Sequence, residues 1–243
     1  TTWFAFILAP LVILQGMLRQ RPNGLAWILI IGGTLAGLVA AFSWGDALYW
    51  YRMSTQEINT RAVRTDAPHG DAVIQIDSAS TTQIGQFINS DLCYALRGKT
   101  LTLGAWMWAE QAIEVDFPIM AVANFDEVNR TQFQKLNSEY VQITTQPTFH
   151  KVTFAVPDIA VRGWIYLNPK YDPAQHTENS IIYYDGLVLT QGEFSDTPPT
   201  FSNKNANAGI WDGKKFTNLL RNGSAELSGP RVNPWVDKYI RIG

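Results

Sequence analysis

The sequence predicts a two-helix transmembrane hairpin followed by an all-β sandwich, and three observations lead to this fold class. Of the chain's 19 basic and 21 acidic side chains, only Arg19, Arg21 and Asp46 fall within residues 1–51. Residues 25–43 form an apolar run without a single charge. From residue 72 onward, apolar and polar side chains alternate with a period of two, which is the pattern of half-buried strands.

Two apolar segments, 1–18 and 25–43, are the predicted membrane helices. A helix rises 1.5 Å per residue, so the second segment spans most of a hydrocarbon core that is ~30 Å thick. The basic turn 19–24 joins the two segments. Aromatic residues that fit an interfacial belt follow the second segment: Trp44, Tyr49, Trp50 and Tyr51. A signal peptide is the alternative for the first segment, but no basic region precedes it. A buried helix pair in a soluble protein is the alternative for both segments, but neither segment has a polar face.

Orientation and packing of the hairpin follow from a few residues. The positive-inside rule places the loop with Arg19 and Arg21 in the cytoplasm, which puts the large domain outside the cell membrane. Gly33 and Gly37 share one helix face, where small residues allow another helix to approach closely. Ordinary glycine usage in a membrane helix is the alternative explanation of this pair.

Strands are predicted in the second part of the chain wherever alternation and β-branched or aromatic residues coincide. Five segments meet this description: 72–77, 100–108, 151–156, 161–167 and 181–189. Residues 124–135 fit a helix or a long loop equally well. Many short strands separated by turn clusters favour a β-sandwich with one core.

Several of these segments also resemble the family-4/9-type carbohydrate-binding modules. The runs HGDAVIQID, QIGQFI, LRGKTLTLGAWMWAE, FHKVTFAVPD, VRGWIYL and IIYYDGLVL follow each other, most of them in the family's order, over about residues 69–190. The run FTNLLRNGSAE, residues 216–226, resembles the opening strand of a second copy. This resemblance implies a jelly-roll topology, glycan binding, and a structural calcium between an opening Glu and a closing Asp. The matching residues here are Glu226 and Asp185, which the sequence assigns to different copies.

The resulting domain prediction has four parts. It comprises the hairpin at 1–55, the jelly-roll sandwich at 56–191, a linker at 192–215 and the start of a second β module at 216–243. A chain that ends shortly after a module begins is expected to be a piece of a longer polypeptide.

Four aromatic side chains are the candidate contact residues. In two predicted strands the aliphatic positions share one face, so Trp106, Trp108, Trp164 and Tyr166 occupy the other. Flat rings of this kind stack on sugars, and the resemblance implies that use. Filling a second layer of the sandwich, or contacting a partner protein, are the alternatives.

Composition and motifs argue against other functions. A net charge of −2 without a basic stripe gives no reason to expect a nucleic-acid partner. The three His and the single Cys form no catalytic or metal-binding motif, so no catalytic residue, metal ligand or cofactor is predicted. Paired carboxylates exist, but they fit solvated strand or loop edges.

The sequence is consistent with two functions. The first is a non-catalytic, membrane-anchored accessory subunit of a larger bacterial membrane complex, with the bilayer and other integral membrane subunits as partners. The alternative is a glycan-binding module attached to a multi-span cell-envelope enzyme.

Overall fold

The computed structural model describes residues 32–34, 46–52, 61–79, 83–125, 131–170 and 178–229. The chain divides into two units, Thr1–Trp44 and Gly45–Gly243. In the first unit the described residues, 32–34, are helical and exposed. All described strands lie in the second unit.

The transmembrane hairpin in the predicted fold class is wrong. Within the described parts of the chain, no helix is both long and apolar enough to cross a membrane. The predicted location in the cell membrane is corrected with it. The predicted helices 1–18 and 25–43, together with Gly37, otherwise lie outside the described residues, and Gly33 lies in the exposed piece.

Seventeen strands and one helix are described in the second unit. The strands before the helix are β1 (Asp46–Ala47), β2 (Tyr51–Arg52), β3 (Arg61–Val63), β4 (Ala72–Asp77) and β5 (Ile84–Ile88). The helix is α1 (Ser90–Leu96). The next strands are β6 (Thr100–Ala109), β7 (Ile113–Asp116), β8 (Ile119–Phe125), β9 (Thr131–Lys135), β10 (Tyr140–Ile143) and β11 (Thr148–Ala155). The last are β12 (Arg162–Leu167), β13 (Ile181–Gln191), β14 (Thr200–Phe201), β15 (Ala208–Trp211), β16 (Lys214–Thr217) and β17 (Ser228–Gly229).

Two five-stranded sheets form the sandwich. Sheet I has the order β11-β6-β13-β4-β3, and sheet II has the order β2-β5-β12-β8-β9. Their strand pairs are antiparallel throughout. Each of the five predicted strand segments coincides with an observed strand, and α1 is only seven residues long. The β-sandwich part of the predicted fold class is therefore confirmed.

The core lies between the two sheets. On β6 the fully buried aliphatic positions Leu101, Leu103 and Met107 face inward, as the alternation predicts. Sheet II contributes Ile165 of β12 and Val122 of β8 from the opposite side. Because the inward aliphatic residues occupy every second position of these strands, a one-residue slip in register would move the whole set from the core to the outer faces.

Residues 124–135 form neither a helix nor a single long loop. Their beginning belongs to β8, and β9 (Thr131–Lys135) pairs with β8 as the edge strand of sheet II. The run TQFQK alternates, but with glutamine where a core strand would carry an aliphatic residue. An edge strand buries little, so its sequence gives a weak strand signal.

A small three-stranded sheet, β14-β15-β16, is built from the segment predicted as a linker. Aromatic side chains of this small sheet pack against the outer face of sheet I. The resulting cluster contains Val188, Phe194, Trp211 and Phe216, with Phe149 and Phe201 packed beside them. At the β15–β16 turn, Asp212 and Gly213 both have positive φ, as a two-residue hairpin turn requires. This cluster covers one outer face of the sandwich.

The stretch predicted to open a second module packs on the same sandwich over its described part, 216–229. Leu220 and Ala225 are buried members of the central core. The buried amide of Asn218 bonds to the backbone of β13. The domain boundaries themselves stay a prediction.

Candidate binding surface

The four aromatic residues proposed from the sequence lie on two different sheets. Trp106 and Trp108 belong to β6 of sheet I, whereas Trp164 and Tyr166 belong to β12 of sheet II. All four point away from the core, as predicted, but the two outer faces have different surroundings. The structure therefore does not bring the four rings together into one site.

The outer face of sheet I is covered. Trp108 is 1% exposed, and its ring centroid lies 5.4 Å from that of Tyr183 on the neighbouring strand. The guanidinium of Arg64 lies 4.0 Å above the Tyr183 ring. Trp106 is half-buried and contacts Phe149 edge-on. These two tryptophans thus form a second hydrophobic layer, one of the alternatives left open by the sequence.

The outer face of sheet II carries a line of aromatic rings that we call the aromatic ribbon. It consists of Tyr51 on β2, Phe87 on β5, Trp164 on β12 and Phe133 on β9. Ring centroids are 6.4 Å apart for Tyr51 and Phe87, and 5.3 Å apart for Phe133 and Trp164. Phe87 lies directly opposite Trp164 in the strand register.

The order and register of the strands determine the length of the ribbon and the residues that lie beneath its rings. Strands lie about 4.8 Å apart, so a line from β2 across four spacings to β9 is about 19 Å long. Between Trp164 and Phe133 lies β8, whose outward residues Ala121 and Ala123 are small and buried. Short side chains there let the two rings fold toward each other over the middle of the sheet.

Exposure distinguishes the ribbon from the covered face of sheet I. Phe133 is 71% exposed and Phe87 is 52% exposed, while Trp164 is half-buried. Tyr166 is only 6% exposed and packs with Ile119 and Ala121 beneath Trp164. Adjacent exposed aromatic rings on one face are a marker of a contact site.

Two cations lie on this face among the strand residues that the structure describes. Arg162 lies two residues before Trp164 on β12, so the two share a face, and Arg162 is exposed. Lys135 on β9 is also exposed, and it lies in the same cross-strand row as Trp164, with Ala121 between them.

Sequence reasoning found Trp164 and Tyr166 but missed Phe87 and Phe133. Phe87 lies in the run QIGQFI, which the resemblance identifies as a strand, but a single aromatic residue there did not indicate a contact site. Phe133 lies in the run that fitted a helix or a loop. The available signal was the period-two spacing of Phe133 and Lys135, which predicts that both side chains share one face if the run is a strand.

The two residues implied as calcium ligands are close to one loop in the structure. Asp185 is fully buried, and its two carboxylate oxygens accept the backbone N–H groups of His69 and Gly186 at 2.7 and 2.6 Å. One oxygen of Glu226 accepts the N–H groups of Asp71 and Ala72 at 2.6 and 2.8 Å. Burial, with a further contribution from nearby Glu226, raises the pKa of Asp185 to about 8.

Backbone N–H groups hold the two carboxylates in place: three of their four oxygens accept hydrogen bonds from the main chain. Within the described ranges, no group of three or more His, Cys, Asp or Glu side chains could hold a metal. The contacts instead tie Glu226 to the start of β4, and Gly70, at φ +83°, leaves room for its carboxylate.

A buried histidine makes the stability of the sandwich depend on pH. The Nε2 atom of His150, on β11, is buried and has no hydrogen-bond partner in the described part of the chain. Burial lowers the pKa of His150 below its ordinary value of 6.5. The unfolded chain therefore takes up a proton near pH 6.5 that the folded chain resists, and unfolding becomes easier as pH falls.

We expect the free energy of unfolding of the unsubstituted protein to fall relative to that of His150→Gln as pH is lowered from about 6.5 toward the folded-state pKa of His150. The comparison is needed because the raised pKa of Asp185 stabilises the folded state as pH falls, and this opposite contribution is present in both proteins. Urea unfolding of both proteins at several pH values measures the difference, and glutamine keeps a polar side chain of similar size that cannot titrate. A difference between the two proteins that does not change with pH would show that His150 does not contribute.

Comparisons with known proteins give structural likenesses only. No protein-family model matches the chain, and no curated protein sequence matches it. Among solved structures it is similar to a family-4 carbohydrate-binding module, with 20% identity, a TM-score of 0.38, and coverage of 59% of this chain and 86% of the other.

Two further modules give similar values. A family-16 carbohydrate-binding module has 18% identity and a TM-score of 0.34, with coverage of 53% of this chain and 82% of the module. A C-terminal family-22 module from Clostridium thermocellum has 13% identity and a TM-score of 0.41, with coverage of 61% of this chain and 92% of the module.

Proposed function

We propose that the second unit is a non-catalytic carbohydrate-binding module whose ligand lies along the aromatic ribbon of sheet II. The observation that carries this proposal is the difference between the two outer faces. Sheet I is covered by the β14-β15-β16 sheet and its aromatic cluster. On sheet II, Phe87 and Phe133 stay more than half exposed beside Trp164.

The shape and chemistry of the ribbon suit an extended sugar chain. A pyranose ring has an apolar face of C–H groups that packs on an aromatic ring, and its hydroxyl groups remain in water at the rim. A ribbon about 19 Å long accommodates several sugar units in a row. The sequence resemblance to carbohydrate-binding modules supports the same ligand class, although its Trp106 and Trp108 lie elsewhere.

A binding role also agrees with the chemistry that the ribbon offers. Acid–base hydrolysis of a glycoside needs two carboxyl groups on either side of the scissile bond. The outward-facing residues described on the strands of sheet II are aromatic, small, aliphatic or cationic. They hold and orient a sugar chain, and they supply no general acid.

Trp164→Ala should weaken binding to the recognised polysaccharide roughly tenfold or more, which corresponds to ~1.4 kcal/mol or more. The reason is that Trp164 lies at the centre of the ribbon and contacts Phe133 directly. Affinity electrophoresis of the full chain in gels containing cellulosic glucan, xylan or polygalacturonate measures the change.

Tyr94→Ala provides the matched control for this experiment. Tyr94 is an exposed aromatic residue on α1, an element that contributes no ring to the ribbon, and it is stacked with Arg97. Its removal should leave the migration of the protein in every gel unchanged. The proposal fails if Trp164→Ala migrates like the unsubstituted protein in a gel that retards both.

A protein partner is the second candidate, and one observation favours it. The Phe133 ring stands at 73° to the Trp164 ring, so this end of the ribbon is not flat. Upright aromatic rings suit packing against side chains of another protein. Under this alternative, Phe133→Ala would reduce co-purification with a partner, while no polysaccharide would retard the unsubstituted chain.

A further inference from the structure

Asn222 and Gly223 form a chemically labile pair that the proposed binding surface does not use. Glycine has no Cβ, so its backbone nitrogen reaches the side-chain carbonyl carbon of a preceding asparagine with little steric hindrance. In this reaction the nitrogen bonds to that carbon, and its proton leaves with the side-chain amide as ammonia. Water then opens the resulting succinimide ring at either carbonyl, which yields aspartate or isoaspartate. One water is consumed and one ammonia is released.

Hydrogen bonds hold the reacting groups of this pair in the folded chain. Asn222 is 1% exposed, and its Nδ2 atom donates to the carbonyls of Leu48 and Leu227 at 3.0 and 2.9 Å. Its Oδ1 atom accepts the N–H of Leu227 at 2.9 Å. The attacking nitrogen, that of Gly223, donates to the carbonyl of Asn205 at 3.0 Å. The ring therefore cannot close until the bonds of Nδ2 and of the Gly223 nitrogen are broken.

The backbone around the pair is also fixed by its contacts. Asn222 has a φ of +53°, a conformation that asparagine tolerates better than most residues, and its carbonyl accepts the Nε1–H of Trp50 at 2.9 Å. A Cβ at Gly223 would lie 2.1 Å from the carbonyl oxygen of Leu187, so β13 packs directly on this glycine. The segment 216–229 must therefore move away from β13 before the pair reacts.

We propose that Asn222 is a modification site that deamidates only when the segment 216–229 detaches from the sandwich, and that the product does not dock again. An aspartate has no N–H to donate to the carbonyls of Leu48 and Leu227, and docking would bury its charge. Isoaspartate also lengthens the backbone by one carbon atom, which the close contact between Gly223 and Leu187 does not accommodate. A reversible opening thus becomes permanent. This inference does not depend on the ligand of the aromatic ribbon.

The rate of deamidation in the folded and in the unfolded chain tests the requirement for detachment. The full chain is incubated in mildly alkaline buffer, with and without guanidinium chloride. Mass spectrometry of the tryptic peptide that begins at Asn222 then distinguishes the amide from the acid. Conversion should be about a hundredfold or more slower in buffer, because only the opened fraction of molecules reacts. Asn23, which also precedes a glycine, is the internal reference in the denatured sample. Equal rates in buffer and denaturant would overturn the inference.

Three variants distinguish detachment of the segment from unfolding of the whole sandwich. Asn218→Ala removes hydrogen bonds between the segment and β13, and it should accelerate conversion of Asn222 in buffer about tenfold or more. Trp211→Ala disrupts the cluster over sheet I instead and should accelerate it much less. Trp50→Phe removes the Nε1–H bond to the Asn222 carbonyl and should also accelerate conversion, even if Asn218→Ala does not fold. Equal acceleration by Asn218→Ala and Trp211→Ala, or no acceleration by Trp50→Phe, would contradict the role of the segment.

Asn222→Asp reproduces one product of the reaction and tests whether it docks. Hydrogen exchange of this variant should show loss of protection in the segment 216–229, by about tenfold or more, while β6 stays protected. Asn222→Gly is the control, because it keeps the positive φ and introduces no charge, so it should lose less protection. If the segment of Asn222→Asp were as protected as that of the unsubstituted protein, deamidation would not be the permanent step proposed here.

Discussion

Replacing Asn218 with alanine is expected to lower the free energy of unfolding by about 3–5 kcal/mol. The Asn218 side chain is buried, and its amide bonds to four backbone groups. Its oxygen accepts the N–H groups of Leu189 and Leu220 at 2.9 and 3.0 Å, and its nitrogen donates to the carbonyls of Leu187 and Ala206 at 2.8 and 2.7 Å. Alanine removes all four bonds and leaves the backbone groups buried without these partners.

The lost stability comes from the contact between β13 and the segment 216–229, because three of the four hydrogen bonds go to the backbone of these two parts of the chain. Chemical unfolding followed by tryptophan fluorescence measures the change in the free energy of unfolding. Asn179→Ala is the matched control, since Asn179 is exposed and its side-chain oxygen accepts a bond from Lys170 at the surface. That variant should change stability by less than about 0.5 kcal/mol. Equal stability of the two variants would contradict the assigned role of Asn218.

Trp211→Ala is expected to lower the free energy of unfolding by a similar amount, about 3–5 kcal/mol, because it disrupts the aromatic cluster that covers sheet I. Trp211 is 1% exposed, and its ring stacks on Phe194 at a centroid distance of 4.8 Å. Its ring also contacts Phe149 and Phe216, and its Nε1–H donates to the carbonyl of Thr197 at 2.6 Å. Removing the indole leaves a cavity in the centre of the aromatic cluster and one unpaired carbonyl.

Phe133→Ala supplies the contrasting variant, because Phe133 is aromatic but lies mostly in solvent on the other sheet. Trp211→Ala should lower the unfolding midpoint in urea and leave polysaccharide affinity unchanged at temperatures where the variant is folded. Phe133→Ala should weaken binding and leave the midpoint nearly unchanged. If Trp211→Ala weakened binding as strongly as Phe133→Ala, the functional distinction between the two outer faces would be wrong.

Local sequence patterns predicted the strands that bury one aliphatic face. Runs such as TLTLGAWMW carry an aliphatic residue at every second position because one face of β6 packs on the core between the sheets. The same approach failed at β9, where an edge strand with two glutamines produces a weak alternation. The membrane hairpin, which was predicted from apolar composition alone, is also wrong, since no helix among the described residues is long and apolar enough to cross a membrane.

Outward direction of a side chain was predictable from the sequence, but exposure was not. Alternation showed that Trp108 and Trp164 both point away from the core, since successive side chains on a strand face opposite sides. Whether an outward ring reaches water depends on what packs over it. The Trp108 ring packs against Tyr183, and Arg64 lies over the Tyr183 ring. Both residues are distant from Trp108 in sequence, so a local pattern could not predict their position.

What the sequence by itself determined is the β-sandwich, its inward aliphatic faces and the resemblance of residues 216–226 to an opening strand, all of which are local properties of the chain. Only the tertiary structure decided that this stretch joins the same sandwich, where Glu226 bonds to the start of β4 and Asn218 bonds to β13. The same holds for the aromatic ribbon, whose rings come from four strands spread over residues 51–164. Their proximity depends on strand order and register, which arise when the two apolar faces are buried together and which no single segment encodes.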